Sequence, residues 1–272
     1  MKYFIKALFV ILVIGIGSSS VIANNIDEGN KLFDKEKYKE AMTFFMKPDA
    51  IKNPRVMNRI GYLYDEGLGV EKNQIEAFRW YLKAAEAGYP EAQFNLGLMY
   101  RNGKGISKDM YEAVKWFKKA AEQNVPEAAM KMGYFTIKGV GVRQDYNEAM
   151  KWYRLAAKNG DNRAYVDIGM MYSKGIGVKK DLNHAVQYYI LGAKKGEAKA
   201  QSLLGNAYAY GKGIQKDTQQ ALYWYKQAAK NGSIEAMKEL GYIYETGRLG
   251  VKKDQKEAQR WKDMAEKASQ EK

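Results

Sequence analysis

Three features of this sequence have residue types and spacing that could support chemistry. The stretch YRNGKGISKD, from Tyr100 to Asp109, combines two glycines with basic residues, a serine and an acid, as in loops that hold a phosphate. His184 is the only histidine and therefore the only imidazole base. Ser269 and Lys272 have the spacing of the S-x-x-K motif, in which serine is the nucleophile. Cysteine is absent, which excludes disulfides, thiolate zinc sites and a cysteine nucleophile.

The glycine-rich loop is not unique, because it recurs at a period of 36 residues. Its other copies are YDEGLGVEKN from Tyr64, TIKGVGVRQD from Thr136, YSKGIGVKKD from Tyr172, YAYGKGIQKD from Tyr208 and YETGRLGVKKD from Tyr244, the last with one inserted residue. An element repeated in this way belongs to the architecture of the chain. The loop is therefore interpreted as a structural turn, and an anion site remains the alternative.

The residues around each loop predict two helices per repeat. Ala92, Leu96 and Tyr100 form an i, i+4, i+8 stripe, and an apolar face at helical spacing follows from Met110 to Gln123. Gly97 lies inside the first of these helices, although glycine there costs about 1 kcal/mol relative to alanine. It recurs every 36 residues, as Gly61, Gly133, Gly169, Gly205 and Gly241. This recurrence predicts that a neighbouring helix approaches too closely for a side chain.

The end of each loop carries a helix-start signal. Asp109 and Glu112 have the spacing of a capping box, in which the first side chain accepts from a first-turn amide and the glutamate reaches back to the cap N–H. The same pattern occurs as Asn73 with Glu76, Asp145 with Glu148 and Asp254 with Glu257. The two glycines before the cap predict backbone with positive φ.

The pattern A-x3-L-G-x2-Y-x2-G-x-G-V-x2-D-x3-A-x2-W-Y-x2-A-A-x2-G resembles the Sel1-like repeat, a relative of the tetratricopeptide repeat. This resemblance implies an all-α fold, a right-handed α-solenoid of antiparallel helix pairs with a 36-residue repeat. Residues 24–53 resemble a degenerate tetratricopeptide-like N-terminal capping unit. The six predicted repeats are 54–89, 90–125, 126–161, 162–197, 198–233 and 234–270, with a polar tail to residue 272.

Residues 1–23 have the features of a signal peptide. Lys2 and Lys6 precede the apolar run 7–17, and Val21-Ile22-Ala23 supplies small residues for cleavage after Ala23. An uncleaved anchor at residues 3–17 is the alternative. No cysteine follows the cleavage point, so a lipoprotein is not expected. The protein is expected to be exported, either periplasmic or secreted.

The first helices are the candidate binding surface. In tetratricopeptide-like arrays the first helix of each pair lines the concave face, so alignment of the repeats predicts which residues lie there. The predicted groove residues are Tyr62, Phe94, Leu98, Arg101, Met130, Tyr134, Ile137, Val166, Met170 and Tyr242. An exposed apolar strip of this kind is typical of a protein or peptide groove. Burial of these side chains between adjacent first helices is the alternative.

Basic residues cluster in the repeated loops, and the whole chain has a net charge of +14. The predicted basic edge consists of Lys104, Lys108, Arg143, Lys179, Lys180, Lys212, Lys216, Lys252 and Lys253. Such an edge could bind anionic envelope polymers, acidic proteins or lipid headgroups, or it could be a solvated face. Nucleic acid would fit the charge but not the export signal.

The resemblance implies a non-enzymatic scaffold or adaptor that binds a protein or peptide partner. Together with the signal peptide, it predicts an exported protein in envelope function or host interaction. No catalytic residue, cofactor or metal is expected. The alternative from another class is an envelope enzyme of the β-lactam hydrolase type, because some cysteine-rich Sel1-like proteins have been linked to that reaction. Ser269 lies at the extreme C-terminus, where nothing holds it in place. His184 occupies the position of the capping glutamate and is expected to be a first-turn surface residue.

Overall fold

The computed structural model describes residues 24–271, which form helices and no strand. The predicted all-α class is confirmed. The helices are α1 (24–34), α2 (Tyr38–Phe45), α3 (Pro54–Glu66), α4 (Gln74–Glu86), α5 (Pro90–Asn102), α6 (Met110–Glu122), α7 (Pro126–Lys138), α8 (Tyr146–Lys158), α9 (Arg163–Lys174), α10 (Leu182–Lys194), α11 (Ala198–Tyr210), α12 (Thr218–Lys230), α13 (Ile234–Thr246) and α14 (Gln255–Gln270). Short 3₁₀ turns cover Ala50–Lys52 and Arg248–Gly250. The predicted signal peptide lies outside the described residues.

The described residues divide into two compact units, 24–125 and 126–271. In the first unit α3 packs on α4, α4 on α5, and α5 on α6. In the second unit each helix from α7 to α14 likewise packs on the next one along the chain. Both units are therefore series of helix pairs that contact their sequence neighbours, which is the organisation of a repeat protein.

The segment before the first repeat packs directly on that repeat. Ala41 and Phe45 of α2 are fully buried in one cluster with Val56, Ile60 and Leu63 of α3. These α3 side chains would otherwise form an apolar end of the first unit. Burial by α2 removes that apolar surface from water, which stabilises the unit.

The helical glycines allow close contact within a pair. A Cβ added to Gly97 in α5 would lie 2.8 Å from the ring of Phe117 in α6. This spacing is shorter than any normal contact between carbon atoms. The predicted close approach is therefore confirmed, and the partner is the aromatic residue of the second helix in the same pair.

The repeated loop leaves the first helix through two left-handed glycines, as predicted. In the second repeat these are Gly103 and Gly105, both with φ of 69°. The side chain of Asp109 then caps α6 by accepting hydrogen bonds from the main-chain N–H groups of Tyr111 (2.8 Å) and Glu112 (3.0 Å). These contacts satisfy two of the amides that a helix start leaves free.

The predicted role of Glu112 in the capping box is wrong. The main-chain N–H of Asp109 donates to the carbonyl oxygen of Tyr100 at 2.9 Å, so it is not free to bind the Glu112 carboxylate. Glu112 instead accepts from Lys115 at 2.8 Å. The loop folds back onto the end of the first helix, and this main-chain bond takes the donor. The equivalent bonds in the other repeats run from Asn73 to Tyr64, Asp145 to Thr136, Asp181 to Tyr172, Asp217 to Tyr208 and Asp254 to Tyr244.

Candidate protein-binding face

The first unit carries part of the predicted groove on α3 and α5. Tyr62 is 39% exposed, and its ring centroid lies 6.0 Å from that of Phe33 in α1. Phe94 and Leu98 are half-buried, and the Phe94 ring packs 5.5 Å from the ring of Phe117. Tyr62 therefore offers the most accessible aromatic surface among these predicted residues.

Arg101 completes the predicted set in this unit. It is half-buried, and its Nε donates to the side-chain oxygen of Asn102 at 3.0 Å. A half-buried guanidinium held by its neighbour contributes a positive charge to the end of α5.

The second unit carries strongly exposed tyrosines on its first helices, and two of them occupy predicted groove positions. Tyr134 in α7 is 52% exposed and Tyr242 in α13 is 47% exposed. They occupy the same position in their repeats. The Tyr242 ring lies 5.1 Å beneath the guanidinium of Arg248, which holds its orientation by a cation–π contact.

The remaining predicted groove residues of this unit are less accessible. Met130, Ile137 and Met170 are half-buried. Val166 is only 4% exposed and lies in a core cluster with Ala200 and Leu204 of α11. The assignment of Val166 to an exposed groove is therefore wrong. Helices α9 and α11 touch, and this short side chain lies in the seam between them.

An apolar cavity of about 310 Å³ opens between α9, α10 and α11. The sequence patterns did not point to it. It is called the Ala207 pocket here and is lined by Ser173, Leu182, Ala185, Val186, Tyr189, Leu203, Asn206, Ala207, Tyr210 and Lys212. The available signal was Ala207 itself, a small residue where the other repeats place Leu63, Met99, Phe135, Met171 and Ile243.

A second cavity of about 460 Å³ lies next to the first, and most of its lining residues are polar. The two share Leu203 and Asn206. The polar cavity is lined by Glu197, Ala198, Lys199, Ser202, Leu203, Asn206, Asn231, Gly232, Ser233 and Glu235. The shared residues show that one stretch of α11 separates an apolar pocket from a polar one.

Asp167 in α9 is the acid in this part of the molecule whose pKa is shifted most from its usual value. Burial raises the pKa of its carboxyl to about 6, and nearby Asp161 and Glu197 also favour the protonated form. Lys199 and Arg163 act in the opposite direction. The sequence analysis missed this residue, because neither its burial nor its neighbours are visible in the repeat pattern.

The predicted basic edge is mostly free of ion pairs. Lys104 is the exception, because its Nζ lies 3.3 Å from the carboxylate of Asp65. The other eight residues are exposed, and within residues 24–271 none of them forms an ion pair with a carboxylate: Lys108, Arg143, Lys179, Lys180, Lys212, Lys216, Lys252 and Lys253.

The residues considered for catalysis have local partners. His184 is exposed in the first turn of α10, as expected, and its Nδ1 lies 2.8 Å from Asp181 while its ring stacks on Tyr172. The hydroxyl of Ser269 donates to the carbonyl oxygen of Ala265 at 2.7 Å, and Lys272 lies outside the described residues.

Over the described part of the chain there is no cluster of His, Asp and Glu able to hold a metal ion. No helix in that part is long and apolar enough to cross a membrane.

Helix pairs at a constant period, with an exposed face on the first helices, define an α-helical repeat protein. The chain belongs to the Sel1 repeat family, which it matches at residues 54–89, 90–125, 126–161, 162–197, 198–233 and 234–265. Proteins of this family generally act as scaffolds for protein interaction and are typically not enzymes. Comparison with proteins of curated function gives no match.

Solved structures support the same assignment. The Sel1 repeat protein from Oxalobacter formigenes is 65% identical, with a TM-score of 0.84, over 89% of this chain and 99% of that one. The protein c5321, a protective antigen present in uropathogenic Escherichia coli strains, is 33% identical with a TM-score of 0.82. That match covers 90% of this chain but 53% of c5321, so this chain spans about half of its length. The immunity protein PA5088 from Pseudomonas aeruginosa shares the fold at 19% identity, with a TM-score of 0.53 over 80% of this chain and 82% of that one.

Proposed function

We propose that this protein is an exported, non-enzymatic scaffold that binds a protein partner through the first helices of its second unit. The observation that carries the proposal is the exposure of Tyr134 and Tyr242 at one repeat position. Tyrosine combines a large apolar ring with a hydroxyl that can hydrogen-bond, and it loses little conformational entropy on binding. Residues of this kind contribute most of the affinity in many protein interfaces.

The setting of the partner is proposed to be the cell envelope or a host surface. Residues 1–23 carry the features of a signal peptide, which supports export. The relative from uropathogenic Escherichia coli is described as a protective antigen, which is compatible with an exposed location for that protein. Export of this chain is tested by cell fractionation and by determining the N-terminal residue of the purified protein.

The binding proposal is tested by capture from envelope and host-cell extracts on the immobilised protein. The test variant carries Tyr134→Glu and Tyr242→Glu, which place charge on the proposed face. Tyr223→Glu is the matched control, because Tyr223 is 51% exposed but lies on the second helix α12. Circular dichroism verifies that all three proteins keep their helix content.

The proposal predicts a protein retained by wild type and by the Tyr223 variant but lost from the double variant. Retention of the same protein by the double variant would exclude the surface around Tyr134 and Tyr242 as the binding site. Loss from the Tyr223 variant alone would move the site to the second helices.

A second candidate function is binding of an anionic cell-wall polymer through the basic edge. The observation that favours it is the group of exposed lysines without carboxylate partners in residues 24–271. Interactions of this type weaken as salt rises. The test is cosedimentation with purified cell wall at low and high salt, using Lys179→Gln, Lys180→Gln, Lys252→Gln and Lys253→Gln together. Binding that is insensitive both to salt and to these changes contradicts this candidate.

A further inference from the structure

The Ala207 pocket arises from one small residue in an otherwise regular core. In the other repeats the position of Ala207 holds a leucine, methionine, phenylalanine or isoleucine, each buried. Met99, for example, packs in one cluster with Ala77 and Tyr81 of the helix pair before it. Here the alanine leaves a cavity of about 310 Å³. That volume is at the lower end of the range for ligand pockets, roughly 300–1,000 Å³.

The inner wall of the pocket is apolar and well supported. Ala185, Val186 and Tyr189 of α10 are buried in the same core cluster as Ala207. Leu203 of α11 is half-buried and forms the side shared with the polar cavity. A large apolar side chain entering this space would replace water on an apolar surface, which is favourable by about 25 cal/mol per Å² buried.

Lys212 places a positive charge at the mouth of the Ala207 pocket. The main-chain N–H of Lys212 donates to the carbonyl oxygen of Ala207 at 3.0 Å, which holds this lysine beside the pocket. Its Nζ lies 5.3 Å from the centre of the Tyr210 ring and, among residues 24–271, has no carboxylate within ion-pair distance. The neighbouring Arg248 is different, because it is paired with Glu239 at 3.2 Å. Lys212 is therefore the uncompensated cation of this mouth.

Asn206 gives the site a polar contact between the two cavities. Its side-chain oxygen accepts from the Tyr225 hydroxyl at 2.8 Å, and in the described part of the chain its Nδ2 group has no hydrogen-bond partner. An amide donor on the ridge between two pockets suits a carbonyl oxygen of an extended main chain. Glu197 and Glu235 outnumber Lys199 in the lining of the polar cavity, so a second acid is disfavoured on that side.

We propose that this site binds an extended peptide segment of the partner, with a large apolar side chain in the Ala207 pocket and an adjacent acidic residue at Lys212. The charge complementarity at the mouth, the apolar wall and the free amide of Asn206 each select one part of that ligand. This inference rests on the proposed scaffold function and specifies the kind of segment recognised. It does not require Tyr134 or Tyr242 to contact the same partner.

The test uses the full chain and an array of capped pentapeptides. In the probe peptides a central leucine has one glutamate neighbour and one serine neighbour, in both orders. Control peptides replace leucine by alanine or glutamate by lysine. Binding is compared for wild type, Ala207→Leu and Lys212→Gln, with Lys216→Gln as the matched control because it changes an exposed lysine of the same loop outside the pocket.

We expect wild type and the Lys216 variant to bind the leucine–glutamate peptides at least tenfold better than the control peptides. Ala207→Leu should abolish this preference, and Lys212→Gln should remove only the preference for glutamate over lysine. The leucine is tolerated because other repeats hold a large side chain at this position, and circular dichroism and the urea midpoint verify folding. Equal binding by wild type and Ala207→Leu would overturn the proposal.

Two further outcomes have a defined meaning. Binding of octanoate, but of no peptide, would show a pocket for small apolar carboxylates and would also overturn the peptide proposal. A captured partner that depends on Tyr134 and Tyr242 but not on Ala207 would leave the scaffold function standing while excluding this pocket as its recognition site. The two proposals can thus fail independently.

Discussion

The main-chain N–H of Asp109 donates to the carbonyl oxygen of Tyr100, and the two atoms are 2.9 Å apart. This bond closes the glycine-rich loop by joining the start of the second helix to the end of the first. The carboxylate of Asp109 meanwhile caps the amides that an anion would need. The loop is therefore held as a turn by its own hydrogen bonds, and its composition requires no phosphate.

Replacement of Asp109 by alanine should destabilise the protein without loss of fold. The change removes two hydrogen bonds to α6, and loss of a helix N-cap typically costs about 0.5–2 kcal/mol. The measurement is the urea midpoint followed by circular dichroism. Lys108→Ala is the control in the same loop, since this side chain is exposed. Equal midpoints for the two variants would contradict the capping role.

Replacement of Gly97 by alanine should destabilise the pair α5–α6, although alanine is the better helix former by about 1 kcal/mol. The new Cβ would lie 2.8 Å from the Phe117 ring, and overpacking of this kind costs about 1–3 kcal/mol. A double-mutant cycle with Phe117→Leu tests the cause. We expect the cost of Gly97→Ala to fall in the leucine background, and additive costs would rule out a clash with the ring.

Replacement of Ala207 by leucine should raise stability. Filling a cavity commonly gains about 0.5–2 kcal/mol, and this cavity measures about 310 Å³. Ala200→Leu is the matched control on the same helix, because Ala200 is fully buried outside the pocket lining and should lose about 1–3 kcal/mol through overpacking. Thermal midpoints of the two variants should move in opposite directions. A drop for both would mean that the Ala207 pocket cannot accept a leucine side chain.

Asp167 should make stability depend on pH. Its pKa is about 6 in the folded protein against 3.8 for a free carboxyl, so the folded state holds the proton more tightly. Stability therefore falls as the pH rises from about 4 to about 6, and the penalty is complete above that range. Asp167→Asn should be more stable than wild type at pH 7.5 by about 1–3 kcal/mol, with a smaller difference at pH 4.

The pH experiment compares urea midpoints of wild type and Asp167→Asn across pH 4 to 7.5. Glu71→Gln, a change at an exposed loop carboxylate, controls for the loss of one negative charge. A gain that is the same at every pH would show that the carboxyl is not protonated preferentially in the folded state.

Much of the fold could be predicted from the repeat pattern. The position of Gly97 predicted a close helix contact, and the loop glycines predicted left-handed backbone, because each depends on local geometry that glycine alone tolerates. The reciprocal role of Glu112 could not be predicted in this way. It depended on whether the Asp109 N–H was free, and that was decided by how the loop folded back on Tyr100.

The candidate site was predictable only in part. Tyr134 and Tyr242 lie exposed on first helices, whereas Val166 in a neighbouring repeat is buried. Val166 lies four residues earlier in its repeat than the two tyrosines do in theirs, and Phe94 and Met130 at its position are half-buried, so the pattern alone does not predict its burial. The difference arises because α9 touches α11 and the short Val166 side chain lies in that seam. Whether a side chain is exposed depends on the residues that pack around it, and the repeat pattern does not specify those contacts.

The helix pairs, their caps and turns, and the family were all predictable from the sequence, because they depend on residues close together in the chain or on a pattern at constant period. The surface that remains open to a partner depends on how separate helices pack, which the sequence pattern does not specify. Ala207 leaves a cavity because its methyl group does not fill the space between helices α9, α10 and α11. Lys212 becomes an uncompensated charge because the acids around it pair elsewhere or lie in the next cavity. Both features arise from distances between separate helices.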